Sequence, residues 1–221
     1  MRVVPIAAEA LLEIRPDTLC ASQSVLKTGN TAGSFKKDDM TQALIPLADG
    51  VEEMEAVILA DVLRRADWTV VTAGIAGDVV TAARGTRLVP DRNWKAIEPM
   101  NFDALVIPGG AGGVSALRRF TPILDAVKSF VAEGRLVAAV CAAPLILMDA
   151  GVLAGRRFTA HPAVFEELPA SGRSSERVVV DGRLVTSRAP GTCFEFALSL
   201  VSLVDGPDKA RTLAGAMLVK E

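Results

Sequence analysis

The stretch LVAAVCAAPLILM, residues 136–148, decides the fold of this chain. Its first half is uncharged and rich in valine and alanine, which is typical of a strand buried on both faces of a parallel sheet. The strand is expected to stop at Cys141. Pro144 then suits the first turn of a helix, because the N–H that proline lacks would be unpaired there. Cys141 is therefore predicted to lie between a central strand and a helix.

This position gives Cys141 the setting of a nucleophile elbow, in which a sharp turn raises the side chain above the sheet between small neighbours. The positive end of the helix dipole favours thiolate over thiol there. The alternative is structural, because a free cysteine is commonly buried and packs as a small apolar residue. The stretch alone leaves both interpretations open.

Composition limits the class of protein. The chain has 221 residues, 50% of them hydrophobic, and a mean hydropathy of +0.35, which predicts a soluble globular protein with a sizeable core. The net charge is −2, and the lysines and arginines are scattered, so we expect no direct sequence-specific nucleic-acid binding. No uncharged run of the sequence, the elbow stretch included, is long enough to span a bilayer, so we expect no membrane partner.

Cysteine and histidine usage argues against cross-links and metals. The three cysteines, Cys20, Cys141 and Cys193, are far apart and odd in number, which indicates a reducing compartment and a cytoplasmic location. The chain has one histidine, His161, and no two cysteines have the spacing of metal ligands. We therefore expect neither a metal site nor a cofactor.

Residues 1–40 differ from the rest and are predicted to be a mobile N-terminal extension, with one domain over residues 41–221. Glu9 and Glu13 interrupt the only periodic apolar piece, which argues against a secretory signal. Serines, threonines and basic residues give a weak signal for organellar targeting by residues 1–39, which these acids and Asp17 oppose.

Strands and helices alternate from Thr41 onward, which predicts a single α/β domain with a mostly parallel sheet. Residues 177–180 and 183–187 look like a hairpin, although the second run could equally be a strand of the main sheet. The predicted strands are 43–48, 68–73, 104–107, 136–141, 157–160, 177–180 and 183–187, and the predicted helices are 52–66, 121–133, 144–148, 192–203 and 208–218.

The glycine-rich turn PGGAGG, residues 108–113, does not predict a dinucleotide site. In that fingerprint the third glycine position falls on Ser115, and the preceding strand is the third of the domain rather than the first. Glycine instead lets the backbone approach a ligand or an active residue closely, and the N–H groups of such a turn can form an anion nest.

Five segments of the sequence point to a known family: LADGVEEME (47–55), VIPGG (106–110), AVCAAP (139–144), HP (161–162) and TSRAPGT (186–192). In order and spacing they resemble the ThiJ/PfpI superfamily, and within it the group of the Parkinsonism-associated deglycase (DJ-one) and its bacterial relatives. The resemblance covers residues 41–221. It implies a flavodoxin-like three-layer sandwich with a mostly parallel central sheet and a cysteine nucleophile elbow, assembled as a homodimer.

The resemblance also implies the site residues. Cys141 matches the nucleophile, Glu55 the carboxylic acid that hydrogen-bonds it, and His161 the pocket histidine. A carboxyl group beside a thiolate in a poorly hydrated site is expected to keep its proton at neutral pH. The oxyanion-type hole and the substrate pocket are assigned to Gly109, Gly110, Ala142, Arg188, Ala189 and Pro190.

Two of these residues have structural alternatives. A histidine before proline is commonly a structural residue, although the family match places His161 at the pocket. Arg188 is expected either to shape the pocket through an ion pair or to bind an anion such as a substrate carboxylate, and pocket shaping is the interpretation we favour.

The sequence departs from the family in three places. Ala142 stands where protease-like members have histidine, so their catalytic triad is absent. Ala189 replaces a common glycine and adds a methyl group to the pocket wall. The additional oxidisable cysteines of the family are not evident, since Ala82 and Val89 occupy the aligned hairpin, and Cys193 is expected to pack in the core.

The implied activity is a cofactor-independent conversion of 2-oxoaldehydes such as methylglyoxal and glyoxal, or of their early protein or nucleotide adducts, to 2-hydroxy acids. This is a glyoxalase III-type or deglycase reaction. The alternative is an oxidative-stress sensor or redox-regulated chaperone that uses an oxidisable Cys141, because an ionised thiol near an acid also favours sulfenate and sulfinate.

Overall fold

The computed structural model describes residues 40–219, in which strands and helices alternate along the chain. The predicted extension, residues 1–40, lies outside the described residues except for Met40, and Cys20 lies outside them too. The strands are β1 (Gln42–Leu47), β2 (Thr69–Gly74), β3 (Val80–Thr81), β4 (Arg87–Leu88), β5 (Arg92–Asn93), β6 (Ala104–Ile107), β7 (Leu136–Val140), β8 (Val178–Asp181) and β9 (Leu184–Ser187). The helices are α1 (Glu53–Arg65), α2 (Ala111–Arg118), α3 (Thr121–Ala132), α4 (Pro144–Asp149), α5 (Cys193–Asp205) and α6 (Pro207–Ala216).

Within residues 40–219, seven strands form the central sheet in the order β5-β2-β1-β6-β7-β9-β8. All neighbouring pairs are parallel except β8 and β9, which are antiparallel. Both interpretations of residues 177–187 therefore hold, because β9 pairs with β8 as a hairpin and with β7 as a strand of the main sheet. The mostly parallel sheet of the prediction is confirmed.

The sheet separates two apolar cores, because successive side chains of a strand point to opposite faces. In β6, Leu105 and Ile107 pack against α2, α3 and α4, whereas Ala104 and Val106 pack against α1 and α5. Every residue of β7 is buried, as expected for a strand covered on both faces. The result is a three-layer sandwich, which confirms the predicted fold class.

Two local predictions differ from the structure. Residues 157–160 are not a strand, since their only β pairing with any described residue is an isolated parallel bridge between Phe158 and Arg173. The glycine-rich turn continues into α2, which was not predicted, because glycine disfavours helix interiors. Leu117 and Val114 on α2 are buried in the core, so tertiary packing supports this helix.

Candidate functional site

The elbow has the predicted position and an unusual backbone. Cys141 directly follows β7 and has φ of 64°, in the left-handed region that side chains rarely adopt. Its backbone N–H donates to the carbonyl of Ser187 at the end of β9, at 3.0 Å. Pro144 begins α4, as expected. Cys141 therefore lies in a sharp turn between β7 and α4, which is the geometry of a nucleophile elbow.

Gly109, at the end of β6, lets two side chains meet. A Cβ atom at this position would lie 2.6 Å from Cβ of Cys141 and 2.7 Å from Oε2 of Glu55. Real Cβ atoms do not tolerate such distances, so only glycine fits between the thiol-bearing turn and the carboxyl group. The sequence had placed Gly109 at the site, and the structure supplies this steric reason.

The carboxyl group of Glu55 points into the protein from the first turn of α1. The residue is fully buried, whereas Glu52 and Glu53 are partly exposed. Oε2 accepts a 2.6 Å hydrogen bond from the N–H of Gly109, and Oε1 is buried with no partner of ordinary hydrogen-bond geometry within residues 40–219. Among the three acids of this turn, Glu55 is therefore the one beside the thiol.

Glu55 and Cys141 are electrostatically coupled. Burial raises the pKa of Glu55 to about 7, although hydrogen bonds from the Gly109 N–H and the Cys141 side chain oppose the rise. Burial, followed by the negative charge of Glu55, raises the pKa of Cys141 to about 12. Because both groups cannot ionise together at moderate pH, the pair holds a single proton between these two values.

This electrostatic result corrects one expectation. The helix dipole was predicted to favour the thiolate, but burial and the neighbouring carboxylate outweigh that contribution. The thiol proton must therefore leave when the sulfur reacts, and the carboxylate of Glu55 is the adjacent base that can take it. The expectation for Glu55 itself has the right direction, since its pKa is raised into the neutral range.

Two backbone N–H groups are directed at the sulfur. Hydrogen bonds from the N–H groups of Gly110 and Ala142 lower the pKa of Cys141, against the larger effect of burial. Gly110 has φ of 93° and precedes α2, so the predicted anion nest is also the start of a helix. The N–H of Gly109 is used by Glu55, which leaves Gly110 and Ala142 as the two donors near the reactive atom.

His161 is held against the elbow by its own backbone. Its N–H donates to the carbonyl of Cys141 at 2.8 Å, and its Nδ1 accepts from the N–H of Ala163 at 3.2 Å. A neutral ring that accepts at Nδ1 carries its proton on Nε2. His161 can therefore donate a hydrogen bond through Nε2, while its other nitrogen caps the short 3-10 helix Pro162–Glu167.

The remaining predicted pocket residues follow β9. Arg188 donates from Nη1 to the carbonyl of Ser175 at 2.9 Å, and its guanidinium carbon lies 5.9 Å from the centre of the Phe165 ring. Ala189 donates its N–H to Oγ1 of Thr192 at 3.1 Å, and Pro190 begins a 3-10 turn before α5. Arg188 has no acidic partner within salt-bridge distance in the described range, so the ion-pair interpretation has no support there.

Two residues near this region were missed. Arg173 lies with its guanidinium carbon 5.2 Å from the centre of the same Phe165 ring, so two arginines share one aromatic side chain. No sequence pattern relates Arg173 or Phe165 to Arg188, because the irregular segment after His161 brings them together.

Cys193 packs as expected. Its side chain is fully buried at the start of α5, and its thiol donates to the backbone carbonyl of Glu55 at 3.8 Å. Burial raises its pKa far above the ordinary range. Cys193 is therefore a core residue that contacts the Glu55 turn rather than an accessible thiol.

The described residues contain neither a metal-binding cluster nor a membrane-spanning helix. Across residues 40–219 no group of three or more histidine, cysteine, aspartate or glutamate side chains could hold a metal ion. Among the helices of the same range, none is long and apolar enough to cross a membrane.

A family model and individual known proteins match most of the chain. The model of the DJ-1/PfpI family matches residues 41–203. The chain belongs to the DJ-1/PfpI family. The resemblance drawn from the five sequence segments is thereby confirmed.

Individual DJ-1/PfpI proteins are similar over most of the chain. Drosophila melanogaster protein dj-1beta is 40% identical over 180 residues, which make up 80% of this chain and 96% of that protein. Caenorhabditis elegans glutathione-independent glyoxalase DJR-1.2 is 38% identical over 172 residues, 77% of this chain and 91% of that protein. The solved structure of oxidized Toxoplasma gondii DJ-1 superposes on this chain with a TM-score of 0.79 at 34% identity. The superposition covers 82% of this chain and 100% of the Toxoplasma gondii chain.

Proposed function

We propose that this DJ-1/PfpI chain converts 2-oxoaldehydes such as methylglyoxal and glyoxal, or their early protein or nucleotide adducts, to 2-hydroxy acids. The observation that carries the proposal is the pairing of Cys141, which is partly exposed, with the fully buried carboxyl group of Glu55, so that a thiol and a proton acceptor share one site. A relative named as a glutathione-independent glyoxalase, at 38% identity, supports the same reaction class.

The first step is addition of sulfur to the aldehyde carbon. As the S–C bond forms, the thiol proton passes to the carboxylate of Glu55, and the carbonyl π electrons move onto oxygen. The N–H groups of Gly110 and Ala142 are placed to stabilise the resulting oxyanion, with Nε2–H of His161 as a further donor. Transfer of the proton from Glu55 to that oxygen gives a hemithioacetal and returns Glu55 to its carboxylate form.

The second step moves a proton between the two carbons of the substrate. Glu55 removes the hydrogen of the former aldehyde carbon and returns a proton to the neighbouring carbon, through an enediol. The product is a thioester of a 2-hydroxy acid on Cys141. A carboxyl group with a pKa of about 7 suits this shuttle, because it gains and loses a proton readily at neutral pH.

Hydrolysis completes the cycle. Water adds to the thioester carbonyl, the C–S bond breaks, and the sulfur recovers its proton. The net reaction converts one methylglyoxal and one water to one lactic acid, with no net oxidation and no cofactor. A reducing compartment such as the cytoplasm, which the cysteine usage led us to expect, suits a reaction that needs the reduced thiol.

The test is lactate release from methylglyoxal without added glutathione. We expect turnover by the full chain and its loss in Cys141→Ala, with Cys193→Ala as the matched thiol control. Equal rates for the full chain and Cys141→Ala would show that the assignment of the nucleophile is wrong.

A second candidate function is redox sensing at Cys141. The Gly110 and Ala142 N–H groups that face the sulfur would equally bind the oxygens of a sulfinate. The similar Toxoplasma gondii DJ-1 was solved in an oxidized form. Mass spectrometry after treatment with mild peroxide decides between the two functions. A gain of two oxygen atoms at Cys141 without aldehyde turnover favours the sensor. A chaperone activity would then be regulated by this oxidation.

We also propose that the chain forms a homodimer through α1 and the β3–β4 region. Met54, Val57 and Val89 are apolar side chains that are 54%, 52% and 76% exposed, and such residues together are typical of an interface. Sedimentation velocity of the full chain should show a dimer, and Val57→Glu should weaken it. A monomer at tens of micromolar would contradict the proposal.

A further inference from the structure

We propose that Arg173 and Arg188 form a carboxylate-binding subsite at the rim of the Cys141 pocket, so that 2-oxoaldehydes with a distal carboxylate react better than neutral ones. This inference rests on the proposed function and adds a substrate class to it.

The ring of Phe165 holds both cationic groups in place. The guanidinium carbons of Arg173 and Arg188 lie 5.2 Å and 5.9 Å from its centre, within the range of cation–π contacts. Two like charges held by the same ring repel each other, and a bound anion would offset that repulsion. The arrangement therefore favours binding of a negatively charged group.

The neighbouring acids do not neutralise this pair. Glu167 is paired with Arg118 at 3.3 Å, and Glu176 with Arg157 at 2.6 Å. Glu166 reaches Arg173 only at 4.0 Å, and its side chain is 99% exposed, so this contact contributes little. The described residues thus leave the two guanidiniums without a close carboxylate.

Backbone carbonyls fix each guanidinium and leave other donors free. Nη2 of Arg173 donates to the carbonyl of Leu168 at 2.6 Å, and Nη1 of Arg188 donates to that of Ser175 at 2.9 Å. Nε of Arg173 is buried and has no hydrogen-bond partner within residues 40–219. A neutral carbonyl orients a guanidinium without cancelling its charge, and the remaining N–H groups form the fork that carboxylates bind.

The arginine pair is tied to the elbow through two short paths. Arg188 follows Ser187, whose carbonyl accepts from the N–H of Cys141. Phe165 lies in the 3-10 helix that His161 caps, and the N–H of His161 donates to the carbonyl of Cys141. Both paths therefore link the segments that carry the ring and one of its two cations to the main chain of the nucleophile.

The direct test compares 4,5-dioxopentanoate with its neutral methyl ester. We expect the full chain to show a kcat/KM at least about tenfold higher for the carboxylate, the size expected for a charge-assisted hydrogen bond. Arg173→Gln and Arg188→Gln should each bring that ratio toward one, and Arg188→Lys should keep part of it. Arg65→Gln, which removes a surface charge on α1, is the control and should leave the ratio unchanged.

The ratio separates binding from scaffolding. If the arginines only held the segment after His161 in place, their substitution would slow both substrates alike. A wild-type ratio near one, or a ratio that Arg173→Gln and Arg188→Gln leave unchanged, would overturn the subsite.

Calorimetry tests the subsite without turnover. In the Cys141→Ala protein we expect 4,5-dioxopentanoate to bind at least about tenfold more tightly than the ester, with the difference shrinking at high salt. Binding preference without turnover of any aldehyde would refute the proposed function and leave the subsite standing. Turnover of methylglyoxal with no preference for the carboxylate would refute the subsite and leave the proposed function standing.

Discussion

Oε2 of Glu55 accepts a 2.6 Å hydrogen bond from the backbone N–H of Gly109, across 54 positions of the sequence. The bond joins the first turn of α1 to the end of β6 and aims the carboxyl group at the elbow. It also uses the only hydrogen bond donor that Gly109 has. The protonation of the site and its geometry therefore depend on the same contact.

Substitution Glu55→Gln should strongly lower turnover while keeping this contact. The glutamine oxygen can still accept from Gly109, but the side chain can no longer take the thiol proton or move it between carbons. We expect kcat/KM for methylglyoxal to fall by about 10²-fold or more, the usual contribution of general acid–base catalysis. The pKa of Cys141, followed by thiolate absorbance, should fall as well, because the negative charge of Glu55 raises it. Unchanged turnover would remove Glu55 from the mechanism.

The pH profile should report the ionisation of Glu55. Because the carboxylate must accept the thiol proton, kcat/KM should rise with pH through about 7 and then level off, while the thiol, with a pKa of about 12, keeps its proton until attack. Steady-state rates from pH 5 to 9 measure this profile. A rate that is flat across pH 7, or that falls there, would contradict the assignment.

The free energy of unfolding should also depend on the ionisation of Glu55, and it should fall as the pH rises. The pKa of Glu55 is about 7 in the folded chain and 4.5 for an ordinary glutamate, so the folded state binds more protons in between and loses stability as the pH rises through that window. The difference of about 2.5 corresponds to about 3 kcal/mol as an upper value. Denaturant unfolding of the wild type and of Glu55→Gln at pH 5 and pH 8 isolates this contribution. The variant should gain stability relative to the wild type at the higher pH.

Gly109→Ala should damage both the fold and the activity. Its Cβ would approach the Cys141 and Glu55 side chains and come within 3.0 Å of the carbonyl of Val140, so the elbow must shift. Overpacking of this kind costs about 1–3 kcal/mol, and turnover should fall with it. Gly215→Ala is the matched control, since no atom of the described part of the chain lies within 4 Å of its added methyl group and its helix should tolerate alanine. Equal Tm and kcat/KM for the two variants would show that the close approach at Gly109 is unimportant.

The elbow was predictable because its signals are local. An apolar run that ends at Cys141 and a proline at the start of the next helix fixed the strand, the turn and α4. Helical spacing could not decide which acid of the first turn faces inward, and only the family resemblance singled out Glu55. That burial would outweigh the helix dipole at Cys141 depends on packing that local patterns do not describe.

The errors have equally specific causes. The sequence AGGVSALR contains two glycines in its first turn, and its helix α2 depends on the burial of Val114 and Leu117 rather than on intrinsic propensity. Residues 157–160 have strand-like composition, but among the described residues they form a single β-bridge, with Arg173. The contact of Arg173 and Arg188 with Phe165 depends on the path of an irregular segment, which no periodicity encodes.

The left-handed backbone at Cys141 has a consequence for how this position responds to selection. Any L-residue with a side chain pays about 1–2 kcal/mol to adopt that conformation, whereas glycine adopts it freely. A library screened for heat resistance alone should therefore enrich glycine at position 141 and return robust but inert proteins. Cysteine is retained at position 141 only when the variants are selected for catalytic activity.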